Sequence, residues 1–161
     1  MGKAMKLQQE LKRSVPFASL QQETLVNLLR IGDQLDNRLS RLFREHGLTL
    51  SRFNVLRILM LADRPLTCGE IGERMIQVVP AITSLVDHLE KQALVERQRC
   101  KQDRRVVHVR ITKAGKKLAH VAMLPLPNIE NKLLGKLSQT QLKSLNGLLD
   151  KVRESIAASD E

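Results

Sequence analysis

Apolar residues along this chain recur first at helical spacing, then at strand spacing, and return to helical spacing toward the C-terminus. Leu25, Leu28, Leu35, Leu39 and Leu42 follow a three-four rhythm, with Gly32 and His46 at the two other positions of the same heptad seam. The rhythm predicts a long helix from about Gln21 to Glu45, whose narrow stripe suits a partner helix. Gly47 stands where a left-handed cap would end it. Thr49 opens a second helix carrying Phe53, Val55, Leu56, Leu59 and Met60 as far as Ala62, and Asp63-Arg64-Pro65 breaks it. Thr67-Cys68-Gly69-Glu70 has capping-box spacing and starts a short helix with Ile71 and Met75 inward. Pro80 is expected in the first turn of a fourth helix, where its missing N–H does no harm. Ile82, Leu85, Val86 and Leu89 form that helix's buried stripe.

The period then changes from 3.6 to 2. Leu94 to Arg99, a polar tip from Lys101 to Arg105, and Val107, Val109 and Ile111 in alternation with His108 and Arg110 predict a two-stranded hairpin. Its inner face is expected to be apolar and its outer face cationic. Thr112 caps a further helix, expected to be interrupted by Pro125 and Pro127. Ser138-Gln139-Thr140-Gln141 is a second capping box, opening a last helix with Leu142, Leu145, Leu148, Leu149 and Val152 on one face. Residues 1–19 mix charge and Gln around Pro16 and are expected to form a flexible arm. No internal repeat interrupts this order.

Composition narrows the class. The 161 residues are 42% hydrophobic but only 2% aromatic, so aliphatic side chains must fill the core. That scarcity also argues against single-strand binding by base stacking. A net charge of +10 and a pI near 10.1 point to a polyanionic partner. Arg97 to Lys117 alone holds nine basic residues against one acid, Asp103, a local excess of +8. The longest wholly apolar run, Ile58 to Ala62, is far short of the ~20 residues a membrane span needs. The N-terminus has no apolar secretory core, and Cys68 and Cys100 make no disulfide framework, so a cytoplasmic chain with reduced thiols is expected.

Short helix, turn, helix and basic hairpin, in that order, describe a winged helix-turn-helix. An α-helix fits the major groove and presents polar side chains near its N-terminus to base edges. A thin hairpin carrying Arg can enter the narrow minor groove, where the negative potential is enhanced. The expected fold is mostly α with a small β-hairpin wing, flanked by N- and C-terminal dimerisation helices. Residues 48–112 form the DNA-binding part, and residues 20–47 and 113–157 the dimerisation region.

Three stretches carry a family resemblance. Leu66 to Met75, Ile82 to Glu90, and Leu94-Val95-Glu96-Arg97 with Asp103-Arg104-Arg105 and Val109 to Gly115 resemble the helix-turn-helix and wing of the MarR family of bacterial transcriptional regulators. His46-Gly47-Leu48-Thr49 fits as well, so the likeness runs over roughly residues 21 to 155. It implies a homodimer on a pseudo-palindromic operator of double-stranded DNA. It also implies Arg105 as the minor-groove residue, with Asp103 fixing the hairpin tip through a local charge interaction.

The recognition helix departs from the family pattern, with Val78 and Val79 where a Ser cap and a basic residue are common, and Ser84 where another basic residue is. Gln77, Thr83 and Ser84 remain as polar candidates for bases or phosphates, and Val79, Pro80 and Ala81 for thymine methyl groups. Thr67, His88, Arg99, Lys101 and Arg104 complete the expected DNA-facing set. Relatives often bind small anionic or phenolic ligands between the dimer helices and the DNA-binding lobe, which Gly32, His46 and Arg57 would border.

Other chemistry is weakly represented. His46, His88, His108 and His120 lie on different elements without metal-ligand spacing to a Cys. No nucleophile-base arrangement or phosphate loop stands out, so neither an enzyme nor a cofactor is expected. The rival readings are a non-specific architectural nucleic-acid binder, a protein-interaction module on a winged fold, and a membrane-surface binder. The hairpin reading of the basic stretch disfavours the last, because surface binders use amphipathic helices.

Overall fold

The structure, a computed structural model, describes residues 6–100, 103 and 105–159. Among these described residues, eight helices and three strands follow in order: α1 (Leu7–Glu10), α2 (Leu20–Arg44), α3 (Leu50–Ala62), β1 (Leu66–Thr67), α4 (Cys68–Glu73), α5 (Ile82–Lys91), β2 (Val95–Arg99), β3 (Val107–Ile111), α6 (Lys113–Met123), α7 (Leu126–Leu134) and α8 (Gln139–Ser159). The chain divides into two compact units, Met1–Ala122 and Met123–Glu161.

In the first unit side-chain caps start α2 and α3, the second at the Thr49 read from the sequence. Ser19 Oγ accepts the N–H of Gln22 at the start of α2, and Thr49 Oγ1 accepts that of Arg52 at the start of α3. Gly47 adopts φ +71° after α2, the left-handed conformation expected of it. Phe43 and Phe53, both buried, stack with centroids 3.8 Å apart and lock the α2–α3 corner. Around α3 the core closes on Val55, Leu56, Leu59, Leu66, Ile71, Val86, Leu89 and Val109, each at most 1% exposed. These residues come from α3, β1, α4, α5 and β3, so the helix-turn-helix and the hairpin share one interior. The α2 stripe behaves differently: Leu42 is buried, Leu28 and Leu39 half-buried, and Leu25 and Leu35 exposed.

Near the N-terminus, Leu7 is buried and Glu10 accepts from Arg30 Nε at 2.9 Å and Gln34 Nε2 at 3.0 Å. Part of the stretch expected as an arm thus lies against α2.

Several expectations are corrected. The hairpin is one edge of a three-stranded antiparallel sheet ordered β1-β3-β2, with Leu66 paired to Val109; a two-residue strand carries too few positions to show alternation. The fourth helix begins at Ile82 rather than at Pro80, which lies in the preceding turn. Proline disfavours helical geometry at the residue before it, and Ala81 caps α5 with φ −127° and no side-chain hydrogen bond. The interruption expected at Pro125 and Pro127 is present: α6 ends at Met123 and α7 begins at Leu126, with Pro125 at its N-cap and Pro127 in its first turn, where no N–H is needed.

The base of the hairpin is fastened to α6 by backbone contact. Thr112 Oγ1 lies 2.8 Å from Ala93 O and accepts the N–H of Gly115 at 3.0 Å. A Cβ on Gly115 would stand 2.1 Å from Leu94 O, so only glycine permits that approach.

The second unit consists of α7 and α8. Ser138 and Gln141 form the reciprocal cap read from the sequence, with Ser138 N–H donating to Gln141 Oε1 and Gln141 N–H to Ser138 Oγ. Neither helix buries a residue. Among the described residues, no helix is long and apolar enough to cross a membrane.

Candidate nucleic-acid interface

Helix α4 is held at its start by a complete capping box. Glu70 N–H donates to Thr67 Oγ1 at 3.2 Å and Thr67 N–H to Glu70 Oε2 at 2.8 Å. Arg64 adds an ion pair to Glu70 Oε1 at 2.7 Å. The backbone N–H of Thr67, then Arg64, hold the Glu70 carboxyl down from 4.5 to about 2. Thr67, expected to face DNA, therefore has its hydroxyl engaged by the cap.

Between α4 and α5 the turn projects outward. Val78 is 99% exposed, so it packs against nothing in the chain, while Val79 is half-buried and Pro80 and Ala81 exposed. Gln77 Nε2 donates to Asp36 Oδ1 at 2.6 Å, tying this turn to α2. Along α5, Val86 and Leu89 are buried while Thr83, Ser84 and His88 are exposed; Ser84 and His88, four apart, share one face. His88 Nδ1 lies 2.9 Å from Ser84 O. The structure thus gathers Val79, Pro80, Ala81, Thr83, Ser84 and His88 at the outer end and face of α5.

At the hairpin end, Cys100 N–H donates to Val106 O at 2.9 Å and Val106 N–H to Asp103 O at 3.0 Å. Asp103 Oδ1 accepts the backbone N–H of Arg105 at 2.9 Å. Asp103 therefore shapes the turn through a backbone hydrogen bond, the Asx-type contact common in turns. Arg99 and Arg105 are exposed; Lys101 and Arg104 lie outside the described residues.

The sheet register redistributes the charge. Arg97 pairs with Val109, and Val95 with Ile111, so Arg97 shares the inner face with Val95. The outer face holds Glu96 opposite Arg110 and Gln98 opposite His108, one acid against one base. Among the described residues the outer face is thus not the cationic one expected; a run of charge in sequence alternates between faces once it becomes a strand. Arg97 is engaged with Asp87 and Glu90 of α5, each at 2.6 Å. Burial works against its charge, but the hydrogen bonds it donates to Asp87 and Glu90 outweigh that and raise its pKa. Lys116 lies 3.6 Å from Asp63 at the opposite end of the hairpin from Arg105. The sequence signal for the Arg97 contact was the position itself, an arginine two residues from Val95 in an alternating strand.

Gly32 is exposed on α2, and His46 and Arg57 are half-buried. A recess of about 500 Å³ in the α7–α8 unit is lined by other residues, Leu134, Leu137 and Leu142 among them. Among the described residues no cluster of three or more His, Cys, Asp or Glu is placed to hold a metal ion.

A helix-turn-helix whose second helix packs against a three-stranded antiparallel wing defines a winged-helix protein. Residues 46–106, from the α2–α3 corner to the end of the wing tip, match the model of the MarR family. That match takes in 61 of the 161 residues. The HTH-type transcriptional regulator MhqR of Bacillus subtilis is 33% identical over 89 residues, 55% of this chain. The chain spans 60% of that relative's length. Among solved structures, a mutant MarR of Escherichia coli complexed with operator DNA aligns with a TM-score of 0.71 at 25% identity, over 80% of this chain and 93% of that one. The organohalide-sensing regulator RdhR, in its 2,4-dichlorophenol-bound form, aligns with a TM-score of 0.77 over 89% of this chain and 87% of its own. At 15% identity that likeness is one of fold.

Proposed function

We propose that this protein is a cytoplasmic, sequence-specific DNA-binding transcriptional regulator that occupies a pseudo-palindromic operator as a homodimer and is released by a small anionic or phenolic ligand. The observation that carries the reading is the shared footing of its two DNA-facing parts. Thr83, Ser84 and His88 are exposed on a helix whose other face is buried in the same core as β3, and Arg105 is exposed at the end of that hairpin. Thr83, Ser84 and His88 then meet base edges and phosphates of the major groove, and Val79, Pro80 and Ala81 the thymine methyl groups. Arg105 enters the adjacent minor groove, and Arg99 faces phosphate. The complex of the Escherichia coli relative with operator DNA supports this assignment.

Residues 48–112 are the DNA-reading part on this reading, with residues 20–47 and 113–157 building the dimer. Leu25 and Leu29 on α2, and Leu145 and Leu148 on α8, are exposed and offer apolar surface to a second copy. A two-fold dimer requires half-sites about 10 base pairs apart. The phenolic ligand of RdhR supports ligand control, with Gly32, His46 and Arg57 as the residues to vary.

Selection from a random duplex pool tests the proposal, and an inverted repeat of that spacing is expected. Arg105→Ala should weaken binding to the selected site and lower the slope of log affinity against log salt by about one. An unchanged slope removes Arg105 from the interface. A pool that returns no palindrome moves the reading to an architectural nucleic-acid binder.

A further inference from the structure

One side chain joins the hairpin to α5. Arg97 sits on the inner face of β2, where the alternation calls for an apolar residue, and its side chain is 24% exposed. Its NH2 lies 2.6 Å from Asp87 Oδ1 and donates to Thr83 O at 3.3 Å. Its NH1 donates to Glu90 Oε2 at 2.6 Å, and its backbone N–H to Glu90 Oε1 at 3.0 Å. Thr83, Asp87 and Glu90 are spaced i, i+4 and i+7, so the fork lies along two turns of a single helix face. A cation meant for phosphate gains nothing from two carboxylates beside it, because they oppose the approach of a polyanion. The planar guanidinium answers two carboxylates and a carbonyl at once, which an ammonium cannot do.

We propose that Arg97 is a positioning residue that sets the pitch of the wing against α5. It thereby fixes the register between the base edges that α5 reads and the minor groove that the hairpin end enters, without touching DNA itself. The inference rests on the DNA-binding reading above. Leverage makes the pitch matter. At ~3.3 Å per residue the hairpin end lies roughly 13 Å beyond Arg97, so a tilt of about 10° there moves Arg105 by about 2 Å. That displacement is enough to lose a hydrogen bond.

The test uses two duplexes, the selected operator and the same operator trimmed of the outer minor-groove bases that hydroxyl-radical footprinting assigns to the wing. Two variants are compared with wild type: Arg97→Lys, which keeps the charge and loses the fork, and the pair Asp87→Asn with Glu90→Gln, which removes two negative charges. On the full operator each variant should bind about tenfold more weakly with an unchanged salt slope, since a charged hydrogen-bond pair is lost and no phosphate contact is. On the trimmed duplex both should bind as wild type does, because the wing has nothing left to reach.

Tighter binding and a steeper slope for the carboxylate pair would mean that freeing Arg97 creates a phosphate contact, and would overturn the proposal. Equal weakening of Arg97→Lys on both duplexes would overturn it too, since the residue would then be holding up the fold and not the register. A wild-type chain that selects no sequence at all overturns the DNA-binding reading, and this inference with it.

Discussion

The helix-turn-helix with its hairpin and the C-terminal helix pair dispose of their leucines in opposite ways. Around α3, Leu56, Leu59, Ile71, Val86, Leu89 and Val109 reach at most 1% exposure within one chain. In α7 and α8, which carry just as regular an apolar stripe, not one residue is buried, and Leu148 is 61% exposed. The difference is one of available neighbours. Helices α2, α4 and α5 and strand β3 all pack against α3, whereas a helix pair has one partner for each stripe and leaves the rest to whatever docks on it. Leu25 and Leu29 of α2 stand in the same unpartnered condition. One region is stabilised by its own interior; the other carries surface suited to a second copy.

The sharpest way to break that contrast is a matched pair of truncations. Leu56→Ala should cost about 3 kcal/mol, within the usual 2–5 for a buried leucine, at any protein concentration. Leu148→Ala, measured at a dilution where the chain is monomeric, should lower the unfolding free energy by less than about 0.5 kcal/mol. Equal losses would erase the distinction. Next in size, Leu148→Lys should weaken self-association by about 2 kcal/mol or more in sedimentation, with the unfolding midpoint of the first unit unchanged. Association as tight as wild type would remove α8 from the dimer.

A smaller effect concerns the cap of α4. Because the Glu70 pKa is lowered in the folded chain, from 4.5 to about 2, the stability it contributes is fully present above pH 4.5. It is lost as the pH falls toward 2. The difference in urea midpoint between wild type and Glu70→Gln should therefore shrink over that interval; a constant difference means the carboxylate charge is not what the cap uses. Smallest is Ala93→Gly. Ala93 follows α5 at φ +55°, with its N–H donating to Glu90 O and that of Leu94 to Leu89 O. Glycine there should stabilise the first unit by about 0.5 kcal/mol, the left-handed strain relieved minus glycine's extra chain entropy. A loss of stability would show that the alanine methyl group is packed.

Most helix starts were legible because a cap is a local event. Ser138-Gln141, Thr67-Glu70 and Thr49 each satisfy backbone N–H groups within four residues of themselves. The start of α5 was misplaced because Ala81 offers no side chain to read, and Pro80 looks equally at home in a first turn or just before one. Of the candidate site, the exposed residues of α5 followed from sequence, while the backbone hydrogen bond by which Asp103 shapes the turn came from the structure. The engagement of Gln77 by Asp36 did not, since those residues are 41 apart.

The sequence by itself determined the order of elements, the switch from helical to strand period at Leu94, and the excess of cations between Arg97 and Lys117. Each is a property of neighbours along the chain. Only the tertiary structure decided what those cations are for. Pairing Arg97 with Val109 turned it inward toward Asp87 and Glu90, and the same register set Arg110 opposite Glu96 on the outer face. Lys116 was left at the far end from Arg105, beside Asp63. Charge adds along a sequence without regard to direction, but a strand sends alternate side chains to opposite faces, and the register of the sheet then determines which charges are set opposite one another.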